Sequence, residues 1–177
     1  MEIESFEVLV LKRPRTVLEQ YLAIANSTRE PWILVVDQDA RIQSVPKQCK
    51  DDTEFLSFKW IDCPKIYTRC HFGIGLYRTS SLKKVLEPSL SSEGLDLVLE
   101  QRLKTEYSEE GRYTHNLKMT MKGFFRYGKG RAYFNRTCQT QRKIPEGKIY
   151  LRYWRFYLAY LLGFLSGYRG KVKDSNW

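Results

Sequence analysis

The apolar positions at the start of the chain predict a strand, a helix and a second strand. Residues 6–11 (FEVLVL) are a short apolar run of β-forming residues that ends before a proline. Thr16 and Glu19 have the spacing of a capping box, and apolar residues then recur at helical intervals, which predicts a helix over about residues 16–28. Residues 32–36 (WILVV) are apolar without alternation, as in a parallel strand covered on both faces. We therefore expect a βαβ unit.

The rest of the chain predicts two further strands and three further helices. The strands are expected over residues 54–61 and 71–77, with a turn between them at Cys63 and Pro64. The helices are expected over residues 80–86, 93–107 and 150–168, and the candidate N-caps of the first two are Thr79, Ser80, Ser91 and Ser92. No internal repeat or linker is visible, so we expect one α/β domain over residues 1–177 with a central, mostly parallel sheet flanked by helices.

The charge of the chain is concentrated in its last third. Residues 1–110 hold 15 Lys/Arg against 18 Asp/Glu, whereas residues 111–177 hold 15 against 2, and the whole chain carries a formal net charge of +10. A basic region of this kind attracts nucleic-acid backbone, anionic lipid headgroups or substrate phosphates. We therefore divide the expected domain into a sheet with its site (1–110) and a basic segment with a terminal helix (111–177).

The cysteines and the amino terminus make two function classes improbable. The four cysteines match no CxxC pattern, so a zinc site is not expected. The first residues lack a basic region followed by an apolar core, which predicts a protein that stays in the cytoplasm, with free thiols as the default.

Two carboxylates, Asp37 and Asp39, follow directly after the apolar run of residues 32–36. Open α/β sheets bind their ligands at the carboxyl ends of strands, so the pair would face such a crevice. Carboxylate oxygens are hard ligands for Mg²⁺ or Mn²⁺, which in turn neutralise a diphosphate. An Asp-x-Asp also arises by chance in many chains, and the position at the strand end is what favours a site.

A second acidic group lies on the helix expected after residue 93. Glu93, Asp96 and Glu100 are spaced by three and four residues and share one helix face. One of them next to an acceptor hydroxyl could serve as general base, and a solvated acidic stripe is the alternative.

The order of these features resembles the family-2 glycosyltransferases of the GT-A fold. It comprises an apolar strand ending in Asp-x-Asp, a glycine-containing strand and helix, an acidic helix, a basic segment and an aromatic tail: ILVVDQD, HFGIGLYRTSSLKKV, EGLDLVLEQRL, KGFFRYGKGRA and YLAYLLGFLSGYRGK. The resemblance spans residues 32–171. In its compactness the chain is also similar to the small GT-A glycosyltransferases of viruses of thermophilic archaea, which would place it in the host cytoplasm and would suit paired cysteines.

The resemblance implies a metal-dependent, inverting transfer of a sugar from a UDP- or GDP-sugar to a hydroxyl of a glycan, lipid or protein. Asp37 and Asp39 would contact Mn²⁺ or Mg²⁺ or the donor, and His115 would be a further metal or phosphate ligand. Asp96 would be the catalytic base, with Glu93 as the alternative because the family's acidic helix usually starts with Glu-Asp. Only 36 residues precede the Asp-x-Asp, so the nucleotide pocket would be short and would lie near Lys12 and Arg13.

The basic segment over residues 122–131 (KGFFRYGKGR) admits three interpretations. Arg126, Lys129 and Arg131 could hold the leaving diphosphate, with Gly128 and Gly130 letting the backbone approach it. The same composition could bind single-stranded nucleic acid, although no recognition helix or RNA-binding aromatic signature accompanies it, and no nucleic acid is expected as partner. It could also be a plain basic turn.

The aromatic tail admits two interpretations. Its uncharged run over residues 156–168 is shorter than the ~20 residues that a membrane span needs. Cations at both ends suit a helix that lies in an anionic membrane interface, and a core helix is the alternative. A membrane-peripheral protein that has kept the fold and lost catalysis is therefore a rival to the enzyme.

Overall fold

The computed structural model describes residues 1–12, 16–64, 71–90, 92, 94–116, 120–137 and 153–169. These ranges contain an α/β arrangement of six strands and five helices. In chain order they are β1 (Glu7–Leu11), α1 (Val17–Ser27), β2 (Trp32–Asp37), β3 (Ala40–Ser44), β4 (Phe55–Trp60), β5 (His71–Arg78), α2 (Thr79–Val85), α3 (Leu95–Arg102), β6 (Thr105–His115), α4 (Met121–Thr137) and α5 (Trp154–Arg169).

The strands form one mixed sheet in the order β1-β2-β5-β4-β6-β3. The pairs β1–β2 and β4–β6 are parallel, and the other three pairs are antiparallel. The prediction of a mostly parallel sheet is therefore wrong. Parallel neighbours need a crossover of a dozen or more residues, and the ten residues between β4 and β5 are too few for one, so this pair is antiparallel.

The predicted βαβ unit at the front of the chain is confirmed. β1 and β2 run parallel with Val8 opposite Leu34, and α1 connects them. The capping box is also present, since the backbone N of Glu19 donates to Thr16 Oγ1 over 3.2 Å and the backbone N of Thr16 donates to Glu19 Oε2 over 3.1 Å.

The other predicted helix caps are wrong where the structure describes them. The residue before α2 is Arg78, which makes no side-chain cap, and the residue before α3 is Gly94, which adopts a left-handed conformation with φ 78°. Ser92 instead accepts a hydrogen bond from the backbone N of Leu18 over 3.1 Å, so its hydroxyl connects two helices. Ser91 lies outside the described residues.

Three elements differ from the sequence prediction. The helix expected over residues 93–107 ends at Arg102, because Thr105 and the residues after it pair with β4 as β6. β3 was not predicted. α4 occupies the basic segment over residues 122–131, for which a plain turn was one interpretation.

The sheet has an apolar layer on each face. Every residue of β2 except Asp37 is buried, which confirms the expectation of a strand covered on both sides. One face packs on α1, α2 and α3 and includes Tyr21, Ile33, Val35, Phe55, Tyr77, Leu82, Val98 and Leu99. The other face is covered by the amino-terminal segment and β3 and includes Ile3, Trp32, Leu34, Phe58, Trp60 and Tyr113.

α4 and α5 pack against each other side by side and in the same direction, since Phe124 meets Phe156 and Ala132 lies at Gly167, and their contact is closest at glycines. A Cβ built on Gly128 would lie 2.1 Å from the carbonyl O of Tyr160, and one built on Gly163 would lie 1.9 Å from the carbonyl O of Phe125. The predicted terminal helix is thus present, starting at Trp154, with one side in an apolar contact with α4. Among the described helices, none combines the length and hydropathy of a membrane span.

Two of the four cysteines are described, and both are free thiols. Cys49 is buried and Cys63 is half-buried. Cys70 and Cys138 lie outside the described residues.

Candidate metal centre at the end of the second strand

The structure brings Asp37, Asp39 and His115 together at the end of β2. β2 ends at Asp37, and a tight turn leads into β3 at Ala40. Ala40 is paired with His115, the last residue of β6, and the backbone N of Asn116 donates to the carbonyl O of Asp39 over 3.1 Å. The ladder between β3 and β6 therefore fixes the histidine beside the two carboxylates, as the resemblance implied.

The three side chains have the separations of ligands around one small ion. His115 Nε2 lies 2.8 Å from Asp39 Oδ1 and 3.7 Å from Asp37 Oδ2, and one ligand atom from each residue lies within 4.8 Å of the others. Ligands about 2.1 Å from an ion are about 3.0 Å apart when adjacent and about 4.2 Å apart when opposite. Two carboxylates and one imidazole are donors that suit Mn²⁺ well and Mg²⁺ through the carboxylates.

The histidine is packed and the carboxylates are open to solvent. The His115 side chain is 10% exposed, against 40% for Asp37 and 46% for Asp39. Its ring lies 5.4 Å from the ring of Trp60, and its backbone N donates to Asp62 Oδ1 over 3.3 Å. The imidazole is therefore held in one orientation, while the two carboxylates remain accessible to an ion and its ligands.

Asp96 approaches the same end of the sheet from α3, where it lies in the first turn. A Cβ built on Gly73 would lie 3.0 Å from Asp96 Cβ, so the start of β5 and the start of α3 touch. Val35 pairs with Gly75 in the antiparallel ladder, and continuing this register by two residues puts Gly73 opposite Asp37. Asp37 and Asp96 therefore flank one site.

The electrostatics of a buried tyrosine agree with this placement. Burial raises the pKa of Tyr21, a hydrogen bond with Tyr77 opposes that shift, and the charges of Asp37 and Asp96 each raise the pKa further. Asp37 alternates with Ile33 and Val35 along β2, and these two residues lie on the face that packs on α3, so Asp37 and Asp96 belong to the same side of the sheet. Burial likewise raises the pKa of Tyr77, whose hydroxyl donates to the carbonyl O of Gly73 over 2.8 Å.

Lys12 also lies at this end of the sheet. It follows Leu11, which is paired with Asp37 in the parallel ladder, and its side chain is exposed. Its backbone N donates to Gln20 Oε1 over 2.7 Å, which fixes the chain as it leaves β1. The sequence-predicted Arg13 and Glu93 lie outside the described residues.

The predicted basic residues are on α4. Arg126, Lys129 and Arg131 are half-buried, and the guanidinium of Arg131 lies over the ring of Phe134, 5.8 Å from its centroid. Of the two glycines expected to let the backbone approach a diphosphate, Gly128 lies against the backbone of α5 and Gly130 against Gly94. A Cβ on Gly94 would lie 2.6 Å from the carbonyl O of Gly130, which places α4 against the start of α3. The role of the three cations in donor binding stays a prediction.

A polar cluster beside Asp96 was only partly foreseen from the sequence. Glu100, one turn after Asp96, accepts a hydrogen bond from the hydroxyl of Tyr107, whose ring lies 5.1 Å from that of His71. Burial is the main cause that lowers the pKa of His71, so this ring is neutral at pH 7. The sequence signal was obscured because Tyr107 was assigned to a helix, whereas β6 begins two residues before it.

Comparison of the chain with protein-family models, with curated proteins and with solved structures finds no match. The function is therefore inferred from the positions of the described side chains.

Proposed function

We propose that the chain is a metal-dependent glycosyltransferase of the GT-A type that moves a sugar from a nucleotide-sugar donor to a hydroxyl acceptor. The observation that supports it is the meeting of Asp37, Asp39 and His115 within ligand distance at the carboxyl end of β2, with Asp96 against Gly73 at the same end of the sheet. This is the place where open α/β sheets bind nucleotides and other ligands. The βαβ unit that leads into the site supports the finer assignment of the fold to the GT-A type.

The donor side of the reaction is assigned to the three ligand residues and Lys12. A divalent ion at this site supplies positive charge to the diphosphate, which is the leaving group. Asp37 and Asp39 are open to solvent and so can share an ion with diphosphate oxygens, whereas the packed His115 fixes its position. The exposed Lys12 at the end of β1 can reach a phosphate of the same donor.

The acceptor side is assigned to Asp96. In the proposed reaction the acceptor oxygen attacks the anomeric carbon, the bond from that carbon to the diphosphate oxygen breaks, and the acceptor proton passes to the Asp96 carboxylate. One base and one direct displacement are sufficient, and the anomeric configuration is inverted. Asp96 is half-buried on α3, whose first turn is held against Gly73, so its carboxylate is kept at a constant distance from the donor side.

The experiment is a calorimetric titration of the full chain with Mn²⁺ and then with UDP or GDP in the presence of Mn²⁺. We expect the double variant Asp37→Asn and Asp39→Asn to weaken Mn²⁺ binding by about 100-fold or more, because both carboxylate ligands become neutral. The nucleotide should then bind equally weakly with and without the ion.

The matched control is the double variant Glu2→Gln and Glu4→Gln. These two residues are also two positions apart and exposed, and the change in net charge is the same. It should bind Mn²⁺ like the unaltered chain. Equal Mn²⁺ and nucleotide affinity in the Asp37/Asp39 variant and in this control would contradict the proposed function.

A further inference from the structure

The outward face of α5 carries a continuous row of exposed apolar side chains. Trp154, Leu158, Leu162 and Leu165 are 57%, 46%, 53% and 56% exposed. At about 100° per residue they fall within an arc of about 80° and extend over about 17 Å of the helix. We refer to these four residues as the α5 stripe. Scattered exposed leucines need no explanation, but a row on one helix face indicates an interaction surface.

The stripe is separate from the face that α5 uses within the protein. Ala159 and Tyr160 are buried against α4, and Gly163 and Gly167 are the points where the two helices approach most closely. These four residues lie on the opposite side of the helix from the stripe. The stripe is therefore not needed for the α4–α5 contact.

The net charge of α4 and α5 favours an anionic partner for the stripe. α4 and α5 together contain seven Lys/Arg and no Asp/Glu. Arg155 is exposed at one end of the stripe, with its guanidinium over the Trp154 ring, 5.5 Å from the ring centroid. Lys122 and Arg136 are exposed on α4. An apolar helix face combined with this positive field is complementary to a surface that is apolar inside and anionic outside.

Two other partners fit less well. A symmetric contact between two copies would bring the seven cations of α4 and α5 in one copy close to the same seven in the other, and neither helix carries a carboxylate. Nucleic acid would be contacted by the cations, but the three leucines of the stripe have no group that binds phosphate or base edges. We propose that the α5 stripe docks the protein on an anionic lipid bilayer, with the helix lying parallel to the surface.

The length of the helix supports the parallel orientation. Its 16 residues extend about 24 Å, whereas the hydrocarbon core of a bilayer is about 30 Å thick. A tryptophan at one end with an arginine beside it is the kind of pair that stays at the level of the headgroups. The stripe would thus enter the boundary between headgroups and acyl chains.

The test is flotation of the full chain with vesicles of phosphatidylcholine alone or mixed with phosphatidylglycerol. We expect binding to the mixed vesicles that weakens when salt rises to about 0.5 M, since that shortens the screening length. The double variant Leu158→Gln and Leu162→Gln should bind the mixed vesicles about tenfold or more weakly, because two large apolar side chains no longer leave water. Its thermal unfolding should match that of the unaltered chain.

The matched control is the double variant Val8→Gln and Val10→Gln on the edge strand β1. These side chains are 51% and 39% exposed, so the same change is made at a comparable apolar surface. It should bind the mixed vesicles like the unaltered chain.

The double variant Arg155→Gln and Arg136→Gln tests the charge. Its affinity for the mixed vesicles should fall about fivefold for each of the two charges that lies near the membrane surface.

Three results would overturn the proposal. The first is binding to phosphatidylcholine vesicles as strong as to the mixed ones. The second is a Leu158/Leu162 variant that floats as well as the control. The third is a dimer in analytical ultracentrifugation that this variant dissociates, which would assign the stripe to a second copy. Should the double variant unfold, the charge variant alone decides, and unchanged binding to the mixed vesicles then overturns the proposal.

Discussion

The candidate metal centre and the contact between α4 and α5 are built by opposite means. At the candidate metal centre, backbone hydrogen bonds of the sheet fix the positions of Asp37, Asp39 and His115, and two of their side chains are open to solvent. Between α4 and α5, the helices touch at positions without side chains, such as Gly128 and Gly163. The first region owes its proposed function to polar side chains and its shape to other residues. The second depends for its shape on the absence of side chains.

This difference predicts where substitutions should act. Removing a carboxylate at the candidate metal centre leaves the ladder between β3 and β6 in place, so the proposed activity should fall while stability changes little. Adding one carbon at a glycine between α4 and α5 should lower stability, because the two backbones cannot separate without losing their packing. The four predictions below test this separation, from the largest expected effect to the smallest.

The first prediction concerns the proposed base. Asp96→Asn should lower kcat by about 10²- to 10⁴-fold, because an amide cannot take up the proton of the attacking hydroxyl. Nucleotide binding in the presence of Mn²⁺ and the unfolding midpoint should stay near those of the unaltered chain. The rate is measured as release of UDP or GDP from a panel of sugar donors with and without acceptor.

The control for this prediction is Glu100→Gln, one turn further along α3. Its amide can still accept the hydrogen bond from the Tyr107 hydroxyl, so only the charge is removed. We expect a much smaller loss of rate than with Asp96→Asn. An equal loss from both variants would contradict the assignment of the base to Asp96.

The second prediction concerns the contact between α4 and α5. Gly163→Ala should lower the free energy of unfolding by about 2–3 kcal/mol, since its Cβ would lie 1.9 Å from the carbonyl O of Phe125. Urea unfolding followed by circular dichroism measures the change. Mn²⁺ affinity should not fall under conditions in which the variant is folded.

Gly123→Ala, near the start of α4, is the control for this prediction. A Cβ there would meet only the Thr120 hydroxyl at 3.2 Å, at an exposed position near the start of α4. Its effect should stay within about 1 kcal/mol, with helix propensity favouring alanine. Similar losses in both variants would show that close helix contact is not what makes Gly163 necessary.

The third prediction separates the two histidines of the chain. His115→Gln should weaken Mn²⁺ binding by about tenfold or more, because one of three ligands is replaced by a weaker donor. His71→Gln should not, because its ring contacts Tyr107 rather than the carboxylate pair. Calorimetry with Mn²⁺ compares the two, and equal affinities would remove His115 from the metal site.

The same contrast explains which parts could be predicted from sequence. β2 and the Asp pair after it were predicted because a buried strand and its end are local features of one short segment. The approach of His115 to Asp39 joins residues 76 positions apart, and only the resemblance to a family indicated it. Periodicity does not reveal which strand lies beside which, so the antiparallel β5 between β2 and β4 could not be derived either.

The helix α4 was missed for a related reason. Gly123, Gly128 and Gly130 are poor helix formers and read locally as turn residues. Within the fold, Gly128 admits the backbone of α5, and the carbonyl O of Gly130 lies against Gly94 at the start of α3, so tertiary packing outweighs local propensity. β6 was missed because its eleven residues (TEYSEEGRYTH) are mostly polar and show no strand pattern. The strand is held in place by its pairing with the buried β4.

The fourth prediction, with the smallest effect, tests a carboxylate that belongs to neither region. Glu54 accepts hydrogen bonds from the backbone N of Lys104 over 2.9 Å and from Ser81 Oγ over 2.8 Å. The Lys104 bond is the largest cause that lowers the pKa of Glu54 in the folded state, followed by the Ser81 bond, and burial opposes both. Its ionised form therefore stabilises the fold above the pKa of the unfolded chain, and this stabilisation is lost as pH falls through the lower folded pKa.

Glu54→Gln should accordingly cost about 1 kcal/mol at pH 7, a modest value because the group is partly solvated. The difference from the unaltered chain should shrink as pH falls below the ordinary glutamate pKa of about 4.3 and through the lower pKa of the folded state, where the carboxylate takes up a proton. Urea unfolding at pH 7 and pH 3.5 measures both, with Glu87→Gln as the control, since its ion pair with Arg102 is more exposed. A constant difference at both pH values would show that the charge of Glu54 is not what stabilises the junction between β4 and α2. Glu54 touches neither the candidate metal ligands nor the contact between α4 and α5, so Mn²⁺ affinity and vesicle binding should be unchanged in the folded variant. This distinguishes a general loss of stability from damage to either region.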